Sequence, residues 1–230
     1  MDYDIVAFVA PLSAIVALGL SAAYDNAVDL LFFDRRFHVD TSGSGPPTRG
    51  GDGRTGAGEH YVPTPIRTMR SILAALPIDH REFAFIDFGS GKGRTLLVAA
   101  EFEFRRIIGI ECSPDLVAIA RTNLDHYGNP NLRHGTVETV CMDAARFTLP
   151  DGPLALYFFN PFPPPVMERV AENLRRALRD ASRPVLIIYY HPQYHGWIRG
   201  LPDFRRLPVV GANTDYFEVF GNAAAADFAR

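Results

Sequence analysis

At 230 residues, 47% of them hydrophobic, the chain suits one large globular domain with a short extension and has enough apolar content for a full core. A formal net charge of −3 and a pI near 6.2 give it no broad electrostatic pull towards nucleic acid. Two cysteines, Cys112 and Cys141, do not suggest a disulfide scaffold and cannot make a zinc site alone; at the ends of predicted strands they read as buried free thiols of a reducing compartment.

Residues 5–24, IVAFVAPLSAIVALGLSAAY, carry no charged side chain and are long enough to cross a bilayer as a helix. The leader MDYD is acidic, which disfavours a signal peptide. Arg35 and Arg36 are the first basic residues, so a spanning segment would keep the domain C-terminal to it in the cytoplasm. The same segment can instead pack on its own domain or on a second subunit. Residues 26–37 continue as an amphipathic helix with Val28, Leu31 and Phe32 on one side, so that 1–40 forms a hydrophobic helical extension. Seven glycines then fall between Thr41 and Gly58, and 41–59 reads as a flexible linker.

Order resumes at His60-Tyr61-Val62-Pro63-Thr64-Pro65, the start of a domain predicted over 60–222, with 223–230 as a tail. Ile66, Met69, Ile72 and Leu73 stand at helical spacing. Strand 83–88 feeds helix 93–103, and strand 106–111 feeds helix 115–126. A strand near 136–142 precedes LALYFFN at 154–160, and helix 164–179 leads to strand 184–190. Two last strands, near 204–210 and 214–220, are close enough for an antiparallel hairpin. Short apolar strands alternating with helices predict an α/β fold, a doubly wound and mostly parallel sheet covered on both faces.

The stretch FAFIDFGSGKGR, 83–94, places glycines 89, 91 and 93 between a strand and a helix, the order of a nucleotide-type cofactor loop. A P-loop fails, because Lys92 is followed by Gly93 and position 86 is Ile. A dinucleotide fingerprint counted from Gly89 meets Arg94 where its third glycine belongs. What stands is D-x-G-x-G-x-G, Asp87 to Gly93, which resembles motif I of class I S-adenosylmethionine-dependent methyltransferases.

Ligands of open α/β sheets sit beyond the carboxyl ends of the strands, so the residues after each strand are candidates. Glu111 ends the second strand, 18 positions after Gly93, where a carboxylate accepts both hydroxyls of a ribose. That acid serves S-adenosylmethionine and NAD alike, and leaves an NAD(P)-dependent oxidoreductase open. Cys112 beside it is a further cofactor candidate. The resemblance implies that Asp87 faces the ammonium of the methionine end, that Gly89, Ser90, Gly91 and Gly93 form the loop, and that Asp143 contacts the adenine amino group. Asp87 as a turn cap and Asp143 as an exposed turn residue are the plainer alternatives. Tyr61 either covers the cofactor from the N-terminal side or simply packs.

Asn160-Pro161-Phe162 resembles the [DN]-P-P-[YF] motif of amino-group methyltransferases, in which the Asn or Asp accepts hydrogen bonds from the target nitrogen and the aromatic stacks on it. Here one proline precedes Phe162 and Pro163, Pro164 and Pro165 follow, which equally suits a rigid turn starting the next helix. Asn160 is a candidate for both catalysis and cofactor binding. His191, after Tyr189 and Tyr190, is a candidate base or substrate contact. His191 and His195 stand four apart, but Pro192 breaks the helix that would align them and no Glu follows His191, so no metal site is expected.

From Tyr61 to Phe220 the chain resembles a class I methyltransferase, which implies a Rossmann-like seven-stranded sheet with a C-terminal antiparallel hairpin. The runs YVPTP and DFGSGKGR, with Glu111, also resemble the lysine methyltransferases of the mitochondrial ATP synthase subunit group, which likewise carry a hydrophobic segment ahead of the domain. The implied reaction is in-line transfer of the sulfonium methyl of S-adenosylmethionine to an acceptor, an amine and in particular a protein lysine being favoured. A small amine and a lipid- or quinone-like acceptor near a membrane stay open. A cofactor-binding membrane module without turnover is the non-enzymatic alternative.

Overall fold

Seven strands make one sheet in the order β3-β2-β1-β4-β5-β7-β6. Strands β1 (Ala84–Phe88), β2 (Arg106–Glu111), β3 (Val137–Cys141), β4 (Leu154–Phe158) and β5 (Val185–Tyr190) pair in parallel. The hairpin of β6 (Arg205–Leu207) and β7 (Phe217–Gly221) adds antiparallel to β5. This computed structural model describes residues 24–25, 27–43, 61–128, 137–179, 183–209 and 216–228. Residues 5–23 of the uncharged segment and 44–59 of the linker lie outside the described residues. Among those described, no helix is long and apolar enough to cross a membrane.

Every residue of β1, β4 and β5 is buried, as continuous apolar runs demand when both faces of a sheet are covered. Alternate residues feed two cores. Phe83, Phe85, Tyr157 and Ile188 pack with Ile66, Met69, Ile72 and Leu73 of helix α2 (Ile66–Ala74) and with Leu97 of α3 (Arg94–Ala99). Ile86, Phe88, Phe158 and Ile187 pack on the opposite face with Val170 and Leu174 of α5 (Pro164–Leu178) and with Trp197 of α6 (Gly196–Arg199). Helix α4 (Pro114–His126) starts with the Ser113 hydroxyl accepting from the Leu116 amide.

The N-terminal helix departs from its predicted face. Leu31 and Phe32 are exposed, while Asp29, Phe33 and Asp34 turn inward. A π-helical turn at Leu30–Asp34, running into α1 (Arg35–Phe37), inserts one residue and rotates the helix beyond it. The two inward aspartates find fixed partners, so burying them is favoured over burying Phe32. The predicted linker also begins later than its glycines suggest, since Thr41 and Ser42 are buried and hydrogen-bonded.

At the other end, residues 223–228 form helix α7 (Ala223–Phe228) rather than a featureless tail, with Ala225 and Ala226 in the core. Asn222 fastens it: Oδ1 accepts from the amides of Val185 and Ala225, and Nδ2 donates to the Arg183 carbonyl. Strand β4 stops at Phe158, two residues short of its predicted end, which leaves Asn160 in a turn.

Candidate active site

The chain runs from β1 outward to β2 and β3, then crosses to β4 on the other side, so β1 and β4 part at the switch point of the sheet. A cavity of about 1090 Å³ opens there beyond the carboxyl ends of the strands. Its size is at the upper limit of ordinary ligand pockets, roughly 300–1,000 Å³, which leaves space for a cofactor and part of an acceptor.

The glycine loop forms the floor. The amides of Gly89 and Ser90 both donate to the Ile110 carbonyl, at 2.8 and 3.0 Å, tying the loop to the end of β2. Gly91 has a φ of 52°, and a Cβ there would lie 2.3 Å from Cε2 of Tyr61, so only glycine admits the ring. The Tyr61 hydroxyl donates to the Thr41 carbonyl at 2.8 Å, and burial raises its pKa and keeps it protonated. Gly93 is the residue before α3 and is not on the cavity wall.

Three carboxylates line the cavity. Glu111 accepts from the Gly91 amide at 3.1 Å and from the Ser113 amide at 2.8 Å, which orients both oxygens. Asp87, buried on β1, accepts from the Thr95 hydroxyl; burial pushes its carboxyl up to about 7, against the lowering effect of that bond and with help from the Glu111 charge. Asp143 caps the turn Ala144–Arg146 through the Ala145 amide and is ion-paired with Arg169. The two cysteines also reach the wall, but Cys112 is only half-buried and Cys141 is exposed, against the expectation of buried thiols. Strand β3 at the sheet edge is incompletely covered, which is the reason. Burial, chiefly, and the neighbouring Glu111 charge push the Cys112 thiol up to about 12, so it is inert as a nucleophile.

Asn160 and Phe162 both line the cavity, but the Asn160 side chain is committed elsewhere. Its Oδ1 accepts from the Tyr189 hydroxyl at 2.8 Å and the Gln193 amide at 3.3 Å, and its Nδ2 donates to the His191 carbonyl. The amide therefore ties the end of β4 to the loop after β5. His191 is not on the wall; its ring lies against Tyr190 and Tyr216, and burial lowers its pKa. Among the described residues no His, Cys, Asp and Glu group is placed to hold a metal.

Tyr61, Asp87, Gly89, Ser90, Gly91, Glu111, Cys112, Asp143, Asn160 and Phe162 thus share one cavity. Sequence reasoning passed over Thr64, Thr95, Tyr157, Phe159 and Gln193, which line it too, and read Arg94 only as a departure from a motif. Tyr157 was within reach of a register argument, because it pairs with Asp87 across β1 and β4. It also bonds Thr64, their hydroxyls 2.6 Å apart.

Residues 85–181 match the family model described as a methyltransferase domain. No curated protein matches the chain. Among solved structures, a mutant of MtNAS in complex with S-adenosylmethionine is similar with a TM-score of 0.51 and 18% identity, over 68% of this chain and 60% of that one. An RNA methyltransferase from Salinibacter ruber in complex with S-adenosyl-L-homocysteine is 26% identical over 70% of this chain and 92% of its own, with a TM-score of 0.44. The chain spans only 60% of the MtNAS chain it matches, and the likeness is one of fold.

Proposed function

We propose that the chain is a class I S-adenosylmethionine-dependent methyltransferase that methylates an amine nitrogen, a protein lysine being the favoured acceptor. The observation that carries the amine is the lining of the cavity around the turn after β4. Phe159, Pro161 and Phe162 of that turn line it with Val166 and Gln193, and the charged lining residue of α5, Arg169, is already ion-paired with Asp143. An ammonium brought against such a lining loses water, which favours its neutral form. Only the neutral amine has a lone pair to attack a methyl group.

The residues present fit the cofactor. Glu111, held by two backbone amides, keeps lone pairs for two ribose hydroxyls. Asp87 would face an ammonium and Asp143 the adenine edge, both standing on the cavity wall. When bound, S-adenosylmethionine supplies a methyl group already activated on a sulfonium, so the chain has chiefly to align the acceptor and exclude water. The uncharged residues 5–24 make a membrane surface one place where that acceptor is met.

The test is incubation of the full chain with methyl-labelled S-adenosylmethionine and a cell lysate, followed by acid hydrolysis and amino-acid analysis. Label in methylated lysine supports the reading. Label confined to base-labile esters or to nucleic acid overturns it.

A further inference from the structure

Residues 29–42 converge on the cofactor loop from outside the strand–helix repeat. At the centre is Arg94 on the first turn of α3, 2% exposed. Its Nη1 donates to Asp29 Oδ2 at 2.8 Å, its Nε to the Thr41 hydroxyl at 2.9 Å and its Nη2 to the Ser42 hydroxyl at 2.7 Å. The Thr41 hydroxyl donates onward to Asp34 Oδ1 at 2.6 Å, while Asp34 Oδ2 accepts the amides of Thr41 and Ser42. Thr41 is thereby held between a buried cation and a buried acid. Its carbonyl in turn receives the Tyr61 hydroxyl, and the Tyr61 ring closes on Gly91.

Three members of this circuit, Arg94, Tyr61 and Gly91, line the cavity together with Thr64, Asp87 and Thr95. No hydrogen bond among the described residues joins 29–42 to Glu111, Cys112 or Asp143, on the β2–β3 side of the same cavity. We propose that Arg94 is a positioning residue of the cofactor site: together with Thr41 it fixes residues 29–42 and, through them, sets Tyr61 against the amino-acid end of S-adenosylmethionine. The inference rests on the cofactor assignment above. A planar fork is required, because a lysine ammonium is a point charge and cannot address Asp29, Thr41 and Ser42 together. A third glycine of the dinucleotide type at this position would leave the buried Asp29 without its cation.

Two ligands separate positioning from mere scaffolding. S-adenosylhomocysteine carries the amino-acid end, and 5′-methylthioadenosine lacks it. Affinities are measured by calorimetry on the full chain and on Thr41→Val, Thr41→Ser and Arg94→Lys. Thr41→Val and Arg94→Lys are expected to bind S-adenosylhomocysteine about tenfold more weakly, with 5′-methylthioadenosine changed less than about twofold. Thr41→Ser, which keeps the hydroxyl, is expected to match the parent. Equal losses of both ligands, or full S-adenosylhomocysteine affinity in folded Thr41→Val, overturn the inference. If Arg94→Lys does not fold, the two Thr41 variants decide. A parent chain that binds neither ligand overturns the cofactor assignment itself, which is a separate failure.

Discussion

The side-chain amide of Asn160 donates to the carbonyl of His191 at 2.5 Å, and both residues hold a left-handed backbone, with φ of 40° and 46°. Two sparsely populated conformations are thus kept in place by one bond across the ends of β4 and β5. The amide oxygen is also taken, by Tyr189 and Gln193. An incoming N–H would have to compete for it, so Asn160 acts on any acceptor by shaping the loop. Asn160→Ala is expected to lower unfolding free energy by about 2–3 kcal/mol and to leave S-adenosylhomocysteine affinity nearly intact. Asn160→Gly should cost about 1 kcal/mol less than Ala, because glycine accepts the positive φ. Denaturant unfolding of the pair checks this, and equal costs for Ala and Gly would show that backbone strain plays no part.

Asp87 makes cofactor affinity depend on pH. Its carboxyl stands near 7 in the folded chain against an ordinary 3.8. The stability contributed by the buried neutral group is fully present below about pH 4 and is lost as pH rises through 7. A ligand ammonium requires the charged form, so binding expels a proton whenever the pH is below 7. Affinity for S-adenosylhomocysteine should therefore fall by about tenfold per unit as the pH drops from 7 towards 5.5. 5′-Methylthioadenosine, without an ammonium, should show a flat profile, as should Asp87→Asn with either ligand. A flat profile for S-adenosylhomocysteine on the parent chain would place the ammonium away from Asp87.

Much of the fold and site was legible because periodicity and spacing are local. The alternation of strands and helices, the glycine loop and the acid after β2 each depend on a few neighbouring residues. Arg94 was opaque for the opposite reason. Its partners Asp29 and Thr41 lie 65 and 53 residues away, and a buried polar pairing leaves no period in the sequence. The exposed face of Leu31 and Phe32 was hidden by a π turn, which no hydrophobic count reveals. The helix at Ala223–Phe228 was missed because alanines favour helix without marking a face.

Gly91→Ala tests the closure of Tyr61. The new methyl would stand 2.3 Å from the ring, at a φ that also disfavours a side chain. The expected result is loss of S-adenosylhomocysteine affinity by about tenfold or more. Tyr61→Ala in the same background removes the clash, so the double variant should be better than the sum of the two losses by about 1 kcal/mol or more. Strictly additive losses in calorimetry would show that the alanine acts on the backbone alone.

Glu111 should behave differently from Arg94, because the ribose it is proposed to hold belongs to both test ligands. Each of its oxygens is already aimed by a backbone amide, Oε2 by Gly91 and Oε1 by Ser113. A carboxylate has lone pairs to spare after accepting those two bonds, and ribose offers two donors to use them. Glu111→Ala should therefore weaken both S-adenosylhomocysteine and 5′-methylthioadenosine by about 1.5–3 kcal/mol. Glu111→Gln keeps the shape but points an NH₂ group at one of the two amides, donor against donor, and should cost nearly as much. Glu111→Ala leaves both amides, and Glu111→Gln one, short of an acceptor, so unfolding free energy should also fall, by about 1–2 kcal/mol for each amide. The comparison of ligands is decisive: the ratio of their affinities stays constant across the Glu111 variants and shifts in Thr41→Val and Arg94→Lys. Unaltered affinity in a folded Glu111→Ala protein would reduce this acid to a clamp on the Gly91 and Ser113 backbone, and the ribose would have to be held elsewhere on the β2–β3 side of the cavity.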